Sequence, residues 1–343
     1  MQPNVTIILP VYNVEPYLRQ CLDSVVNQTM REIQIICVND GSTDGSPAIL
    51  EEYAAKDPRI MVINQENQGG GSARNAAFPH IKGKYTYFVD SDDWIELTLC
   101  EKTVAVAEKE NADMTFFFRY GFRKQTPPLQ RFLETHDIHE VTFDILVANV
   151  SPWSKLFKSD FILHNNLRFP QYPRSITSHD RPFHWEAILC HPKFAVVREY
   201  LYHYRENLTS LSHKKTIQIF RYRPVFEIIK NTLDERNLFE KHAETYYREK
   251  LKFYYYLFLK PWTPKAEKPR AKEMLKELLA KAETDYRKFD FAAFYGISRS
   301  ESFVINCFCR WIKDGNIVSG MIYYLLTTAN QIKKRFFGEG VRS

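Results

Sequence analysis

The sequence lacks the cysteine and apolar patterns that define several protein classes. Its six cysteines are scattered and include no CxxC pair, which argues against the common zinc and redox motifs and predicts reduced, buried thiols. No apolar run is long enough to span a bilayer, and residues 1–4 have neither the basic segment nor the apolar core of a signal peptide. We therefore expect a cytoplasmic protein.

Internal repeats and low-complexity tracts are also absent. Of the 343 residues, 44% are hydrophobic and 15% are aromatic, which excludes disorder as a general description of the chain. This length and composition allow one large domain or two, each with an ample core.

Basic residues are scarce in the first 100 positions. That segment holds 7 Lys or Arg against 13 Asp or Glu, whereas residues 101–343 hold 40 against 28. A basic surface suits nucleic acid, an anionic membrane or a phosphorylated substrate. Charge alone does not choose among these partners.

Short β-branched runs alternate with amphipathic segments over the first 120 residues. This alternation predicts an α/β fold with a mainly parallel sheet. The predicted strands are 5–9, 33–38, 60–63, 85–89 and 114–118, and the predicted helices are 17–28, 44–55, 70–78 and 97–110. Open α/β sheets bind ligands beyond the carboxyl ends of their strands.

The pattern changes farther along the chain. Residues 121–140 lose their periodicity around Pro127 and Pro128, which predicts an irregular lid or acceptor-facing loop. A helix is predicted near 182–190, and separate strands are predicted at 194–197 and 200–204. After residue 214 the pattern is helical, with predicted helices at 214–237, 240–259, 269–286 and 300–337.

Three carboxylates, Asp90, Asp92 and Asp93, follow the predicted strand 85–89. Because like charges this close repel one another, a folded chain tolerates them best beside a hard cation or a cationic ligand. The alternative is an acidic turn that binds nothing. The cluster by itself does not separate the two interpretations.

Two earlier strand ends carry groups that suit a nucleoside. Asp40 can accept hydrogen bonds from N–H or hydroxyl groups of a ligand, and Tyr12 can stack on a flat ring. The alternative for the segment 39–41 is a tight turn with no ligand.

Three glycines, 69–71, lead into a predicted helix that presents Arg74. Backbone N–H groups and a guanidinium together suit a phosphate, and the guanidinium can instead neutralise the acidic cluster. The spacing matches neither a P-loop nor GxGxxG, which argues against a Walker ATPase and a standard dinucleotide-binding fold.

The order of these motifs resembles the family 2 glycosyltransferases, which have a GT-A fold. The motifs are Pro10-Val-Tyr-Asn, Val38-Asn-Asp-Gly-Ser-Thr-Asp, Asn67-x-Gly-x-x-x-Ala-Arg-Asn75 and Asp90-Ser-Asp-Asp. Weaker matches at Trp153-Ser-Lys-Leu-Phe157, His179-Asp-Arg-Pro-Phe183 and Tyr204-Arg205 with Ser210 and Ser212 extend the resemblance to about residue 213. It implies a GT-A domain over 1–213, with a Rossmann-like mixed sheet flanked by helices, followed by a helical extension over 214–343.

The resemblance implies a nucleotide-sugar donor, usually linked to UDP. Asp40 would contact the base, in a pocket walled by Pro10 and Tyr12, and Arg74 would belong to the same nucleotide site. Asp90 and Ser91 would contact the ribose.

A divalent metal, Mn²⁺ or Mg²⁺, is also implied at the acidic motif. Asp92 would be its most direct ligand, assisted by Asp90. Such a cation stabilises the charge that develops on a departing nucleoside diphosphate.

Asp180 corresponds to the general base of the family, which removes the proton of the acceptor hydroxyl in a single inverting displacement. The alternative is a surface or capping aspartate. His179 stands where relatives commonly carry glutamate, which puts the acceptor in doubt more than the chemistry. His213 is either a metal or diphosphate contact or a solvated histidine, and Arg205 is either an anchor for phosphate or loop or a member of a structural ion pair.

The segment 321–337 combines apolar residues with Lys333, Lys334 and Arg335. Such a basic amphipathic helix either lies on an anionic membrane or packs on the preceding helices. The expected partners are a nucleotide-sugar donor and a glycan or lipid-linked acceptor, with no nucleic acid. The inner face of the cell membrane is a further partner under the first of these two interpretations.

Two other functions fit parts of the sequence. A sugar nucleotidyltransferase shares the layered fold and the metal chemistry, but it would show a glycine-rich signature with Arg and Lys where Tyr12-Asn-Val-Glu15 stands. A catalytically inactive homologue would bind glycan or act as a scaffold, and His179 is the hint in its favour. The presence of Asp40, Asp92 and Asp180 favours the enzyme, acting in cell-surface polysaccharide synthesis.

Overall fold

A computed structural model of the chain describes residues 2–121, 127–171, 178–205 and 223–259. The chain divides into two compact units, one of Met1–Lys214 with Pro224–Thr232 and the other of Lys215–Arg223 with Leu233–Ser343. The predicted helices 269–286 and 300–337, the basic segment 321–337 and His213 lie outside the described residues. The predicted domain boundary after residue 213 stays a prediction.

The first unit is built on an eight-stranded mixed sheet with the order β3-β2-β1-β4-β7-β6-β8-β5. Strands β3, β2, β1 and β4 are parallel neighbours, β7 is antiparallel to β4 and β6, β6 is parallel to β8, and β5 is antiparallel to β8. The strands are β1 (Val5–Val11), β2 (Ile33–Asp40), β3 (Ile60–Gln65), β4 (Tyr85–Phe88), β5 (Trp94–Ile95), β6 (Met114–Gly121), β7 (Lys155–Lys158) and β8 (Phe194–Tyr204). The predicted α/β class is confirmed.

Ten helices are described, and several pack on this sheet. They are α1 (Glu15–Val26), α2 (Ser46–Lys56), α3 (Gly70–Ala77), α4 (Leu99–Glu110), α5 (Pro128–Leu133), α6 (Phe143–Ala148), α7 (Ser159–His164), α8 (Asp180–Leu189), α9 (Arg223–Glu235) and α10 (Phe239–Leu259). Helix α1 shows why such segments are helical, because Leu18, Cys21, Leu22 and Val25 recur at helical spacing and all are buried in the core. Burial of each such aliphatic side chain contributes about 1.5–3 kcal/mol.

The central strands β1 and β2 are buried on both faces, as expected of parallel strands covered by helices. The polar side chains inside them are satisfied locally. Thr6 donates to the side-chain oxygen of Gln34 at 2.8 Å, and the Gln34 amide donates to the carbonyl of His80 at 2.9 Å. These bonds avoid the cost of an unpaired buried polar group.

Two predictions about the middle of the chain are wrong. Residues 121–140 are not wholly irregular, because α5 begins at Pro128, and proline fits the first turn of a helix, where its missing N–H is not needed. The separate strands predicted at 194–197 and 200–204 form the single strand β8, whose register against β6 shifts on either side of Phe118. Such irregularities break the alternation of side chains while the pairing continues.

Four cysteines are described, and none forms a disulfide. Cys21, Cys37 and Cys100 are buried, as predicted, whereas Cys190 is only partly buried. Burial raises the pKa of Cys37 and of Cys100 to about 12. Within the described ranges, no helix combines the length and the apolar character needed to cross a membrane.

Candidate active site

The predicted site residues gather at the carboxyl edge of the sheet. Strands β1, β2 and β4 run parallel, so the residues that follow them emerge side by side. Pro10 lies beside Val38 in the register, and the Ser91 hydroxyl donates to the Pro10 carbonyl at 2.8 Å. Ser91 thus joins the acidic loop, residues 90–93, to β1. The predicted contact of Ser91 with a ribose stays a prediction.

Asp40 organises the glycine loop from inside the protein. It is 2% exposed, and one carboxylate oxygen accepts from the Gln65 amide at 2.7 Å and from the Gln68 N–H at 2.8 Å. Its other oxygen accepts from the Gly69 N–H at 2.8 Å. A carboxylate has about four acceptor positions, so two of them hold the glycine loop, a third binds the end of β3 and about one remains.

Tyr12 lies just beyond β1 and is 40% exposed. The turn behind it is held by Asn13, which adopts a φ of 50° and whose side-chain oxygen accepts from the Thr43 N–H at 2.7 Å. The Asn13 N–H in turn donates to the Ser42 hydroxyl at 3.2 Å. The turns that follow β1 and β2 are therefore joined, and the Tyr12 ring is accessible for stacking on a flat group.

Arg74 lies between Asp90, the predicted nucleotide and metal contact, and Asp180, the predicted general base. Its guanidinium is 2.6 Å from an oxygen of Asp90 and 3.7 Å from an oxygen of Asp180. The side chain is 8% exposed and rests over the Phe169 ring, with 5.3 Å between the guanidinium carbon and the ring centroid. Burial disfavours the charge, but Asp90 and Asp180 outweigh it and raise the pKa of Arg74, which keeps it cationic.

Asp180 is the first residue of α8, and its side chain is 29% exposed. Burial raises the pKa of this carboxyl to about 6, with a further increase from Asp90, while Arg74 and Lys155 act in the opposite direction. A carboxylate with a pKa slightly below neutral is ionised at pH 7 and still basic enough to accept a proton from a reacting group. The sequence could not have given this value, because it depends on burial and on residues distant in the chain.

Asp93, whose role the sequence left open, holds the acidic loop in place through buried hydrogen bonds. It is almost fully buried, and it accepts from the Tyr202 hydroxyl at 2.5 Å and from the Arg205 N–H at 2.7 Å. Burial, followed by the charges of Asp90 and Asp92, raises the pKa of Asp93 to about 8. This carboxyl therefore fixes the acidic loop to β8.

Arg205 anchors the same loop. Its guanidinium Nε donates to the carbonyl of Asp92 at 2.8 Å, and the group stacks between Trp94 and Tyr17, at 4.6 Å and 5.1 Å from the ring centroids. Of the roles considered for Arg205, the structure shows that of a loop anchor.

The acidic loop has the donor chemistry for a hard dication. Asp90 and Asp92 offer carboxylate oxygens, although one oxygen of Asp90 is paired with Arg74. Across the described part of the chain, no three His, Cys, Asp or Glu side chains are gathered so as to hold a metal. Mg²⁺ is commonly held by one or two carboxylates together with substrate phosphates, so the two residues fit a cation that binds with a diphosphate.

Lys155 is a buried lysine that the sequence analysis passed over except as part of a motif. It is fully buried, and its ammonium donates to the carbonyls of Asn149 and Ser151, while Phe116 lies below it with 5.3 Å to the ring centroid. Burial moves the pKa of Lys155 well below its usual value, and Asp180 opposes this shift. The signal available in the sequence was a lysine directly followed by the apolar pair Leu156 and Phe157.

Solved structures share this architecture. S. aureus TarS 1–349 in complex with UDP-GlcNAc aligns over 98% of this chain and 93% of that chain, with a TM-score of 0.70 and 21% identity. The mannosyltransferase PcManGT from Pyrobaculum calidifontis, in complex with GDP-Man and Mn²⁺, aligns over 99% and 89%, with a TM-score of 0.51 and 16% identity. At these identities the likeness shows the fold, which is that of the GT-A glycosyltransferases.

Sequence comparison adds the family. The model described as Glycosyl transferase family 2 matches residues 6–202, more than half of the chain, and the chain belongs to that family. The putative glycosyltransferase EpsH of Bacillus subtilis is 35% identical over 251 residues, which are 71% of this chain and 72% of EpsH. The poly(ribitol-phosphate) beta-glucosyltransferase of Bacillus spizizenii is 35% identical over 204 residues, which are 58% of this chain and 32% of that protein. The family predicted from the motifs is confirmed.

Proposed function

We propose that the protein is an inverting glycosyltransferase that moves a sugar from a UDP-linked donor to a hydroxyl of a glycan or lipid-linked acceptor in cell-surface polysaccharide synthesis. The observation that carries this proposal is the Asp90–Arg74–Asp180 arrangement, in which one guanidinium pairs with the acidic loop and faces the carboxylate of α8. The fold shared with a TarS complex of UDP-GlcNAc supports the donor class, and the ribitol-phosphate glucosyltransferase supports a surface-polymer acceptor.

Asp180 acts as the general base in this proposal. Its carboxylate accepts the proton of the acceptor hydroxyl while that oxygen attacks the anomeric carbon of the sugar. The bond from the anomeric carbon to the diphosphate breaks on the opposite face, and the electron pair leaves with the nucleoside diphosphate. A single displacement of this kind inverts the anomeric centre.

The carboxyl edge of the sheet holds the donor. The exposed ring of Tyr12 stacks on the base, and Asp40 contributes its remaining acceptor position while it keeps the glycine loop in place. Asp90 and Asp92 would hold Mn²⁺ or Mg²⁺ together with the donor. Such a cation would neutralise charge on the departing nucleoside diphosphate.

The first test is Asp180→Asn, which keeps the size of the side chain and removes its basicity. We expect sugar transfer to fall by about 10²- to 10⁴-fold, the usual contribution of a positioned acid or base. Binding of UDP, measured by calorimetry, should persist. Asp160→Asn is the matched control, because Asp160 is an exposed aspartate in the first turn of another helix, α7.

The result separates the proposal from its rivals. Transfer that survives in Asp180→Asn would remove the base assignment. A wild-type protein that binds glycan but releases no nucleoside diphosphate from any nucleotide sugar in a panel with Mn²⁺ would support the inactive homologue instead.

A further inference from the structure

We propose that His179 is a positioning residue for the general base, because its imidazole is seated on the glycine loop and fixes the start of α8, where Asp180 stands. The inference rests on the proposed function, since it explains how the proposed base is held. His179 immediately precedes Asp180 and is 7% exposed.

The contact between the ring and the loop is tight. A methyl group built on Gly71 would lie 2.8 Å from Nδ1 of His179, 2.9 Å from its Cγ and 3.1 Å from its Cβ. Rotation of the side chain can move Nδ1 and Cγ, but Cβ is fixed by the backbone, so the contact at 3.1 Å is relieved only if the start of α8 shifts. Gly71 lies in the first turn of α3, and only glycine there allows the starts of α3 and α8 to approach this closely.

A hydrogen bond to the backbone of Pro170 also restrains the His179 ring. Nδ1 of His179 lies 3.0 Å from the carbonyl oxygen of Pro170, and because a carbonyl only accepts, the hydrogen in this bond is on Nδ1. Burial lowers the pKa of His179, and the nearby Arg74 lowers it further. The ring is therefore neutral at pH 7 and adds no charge beside Asp180.

The loop under the ring also belongs to the donor side of the site. Asp40 accepts from the Gly69 N–H, and α3, which continues the loop, carries Arg74 toward Asp90 and Asp180. Two interactions therefore hold Asp180 near this segment: its charge is attracted by Arg74, and the adjacent His179 packs on Gly71. Loss of the ring removes the second restraint and leaves the donor contacts in place.

Three substitutions of His179 separate the contribution of ring packing from the contribution of the hydrogen bond. His179→Asn keeps an N–H donor near the position of Nδ1 without the ring, His179→Phe keeps a ring without the donor, and His179→Ala loses both. We expect kcat for sugar transfer to fall by about 10- to 100-fold in the alanine variant, since a misplacement of about 1 Å costs that much. We expect the asparagine and phenylalanine variants to lose less, and the Kd for UDP to change by less than about twofold.

Gly71→Ala tests the same contact from the other side. The single variant should lose kcat because its methyl group displaces the ring. In the double variant Gly71→Ala with His179→Ala the two shortest contacts are gone and only the contact to Cβ, at 3.1 Å, remains, so kcat should be close to that of His179→Ala alone. Such non-additivity identifies residues that act through one contact.

The outcomes are distinguishable. If the wild type transfers sugar and His179→Ala retains its kcat, the inference is overturned while the proposed function stands. If His179→Ala fails to fold, as judged by its thermal transition, wild-type kcat in both the asparagine and the phenylalanine variants overturns it equally. If the wild type transfers no sugar from any donor, the proposed function fails and the inference falls with it. A kcat loss with equal weakening of UDP binding would indicate general damage to the fold and would also refute the inference.

Discussion

Replacing Arg74 with glutamine removes the positive charge that lies 2.6 Å from Asp90 and 3.7 Å from Asp180. Burial holds the pKa of Asp180 at about 6, and Arg74 is the largest of the influences that keep it from rising further. The variant should therefore contain an Asp180 with a higher pKa. At neutral pH, a larger fraction of the proposed base would already carry a proton.

The size of the effect follows from the geometry. Two unit charges 3.7 Å apart attract by about 4.5 kcal/mol at an effective dielectric constant of about 20. Because the Asp180 side chain is 29% exposed, solvent screens part of this attraction, and we expect an increase of about one to three pKa units. With a pKa between about 7 and 9, the ionised fraction at pH 7 falls from roughly nine-tenths to between about one half and one hundredth.

The assay is the rate of nucleoside diphosphate release with acceptor present, measured from pH 5 to 9. The wild type should lose activity as the pH falls through about 6, because Asp180 becomes protonated. In Arg74→Gln this acidic limb should move up by about one to three pH units, with activity partly restored at high pH. Arg74→Lys, which keeps the charge, should shift it less, and Arg19→Gln controls for loss of an exposed arginine.

An acidic limb that stays at the wild-type midpoint in Arg74→Gln would refute this account of Asp180. A uniform loss of rate at every pH would likewise show that Arg74 acts on donor binding rather than on the base.

Three further predictions concern the supports of the site. Asp40→Asn presents an amide to the N–H groups of the glycine loop, so the free energy of unfolding should fall by about 1–3 kcal/mol, and an unchanged denaturant midpoint would contradict the anchoring role. Lys155→Met leaves two carbonyls of the segment 149–151 without their donor and should lower the urea midpoint by a comparable energy, whereas a stabilised variant would show that those carbonyls find other partners. Asp92→Asn should raise the Mn²⁺ concentration for half-maximal activity by about tenfold or more, and an unchanged Mn²⁺ titration would exclude Asp92 as a ligand.

Most strands and helices up to residue 118 were predictable because their signals are local, whereas the two-residue strand β5 was missed, since only its pairing with β8 defines it. The run 33–38 is apolar and mostly β-branched apart from Gln34 and Cys37, and β2 is buried throughout. The spacing of Leu18, Cys21, Leu22 and Val25 predicted a helix, and α1 buries those same side chains. Differences of one to three residues at the ends reflect turns and caps, which depend on contacts outside the segment.

The errors arose where a local signal had two meanings. Pro127 and Pro128 were taken as breakers, but Pro128 begins α5, since proline interrupts a helix interior and suits its first turn. The interruption between 197 and 200 was taken as a strand end, but the ladder to β6 holds the chain in one strand across the irregularity. Pairing with a distant strand decided this, and no window of the sequence contains it.

The sequence by itself determined which residues stand at the strand ends and, through the order of its motifs, the family. Tertiary structure decided how those residues are used. It committed most of the acceptor capacity of Asp40 to the glycine loop and the end of β3, brought Arg74 between Asp90 and Asp180, and set His179 on Gly71. It also raised the pKa of Asp180 by burial. Periodicity and turn chemistry are properties of neighbouring residues, whereas burial, charge pairing and close packing depend on residues that only folding brings together.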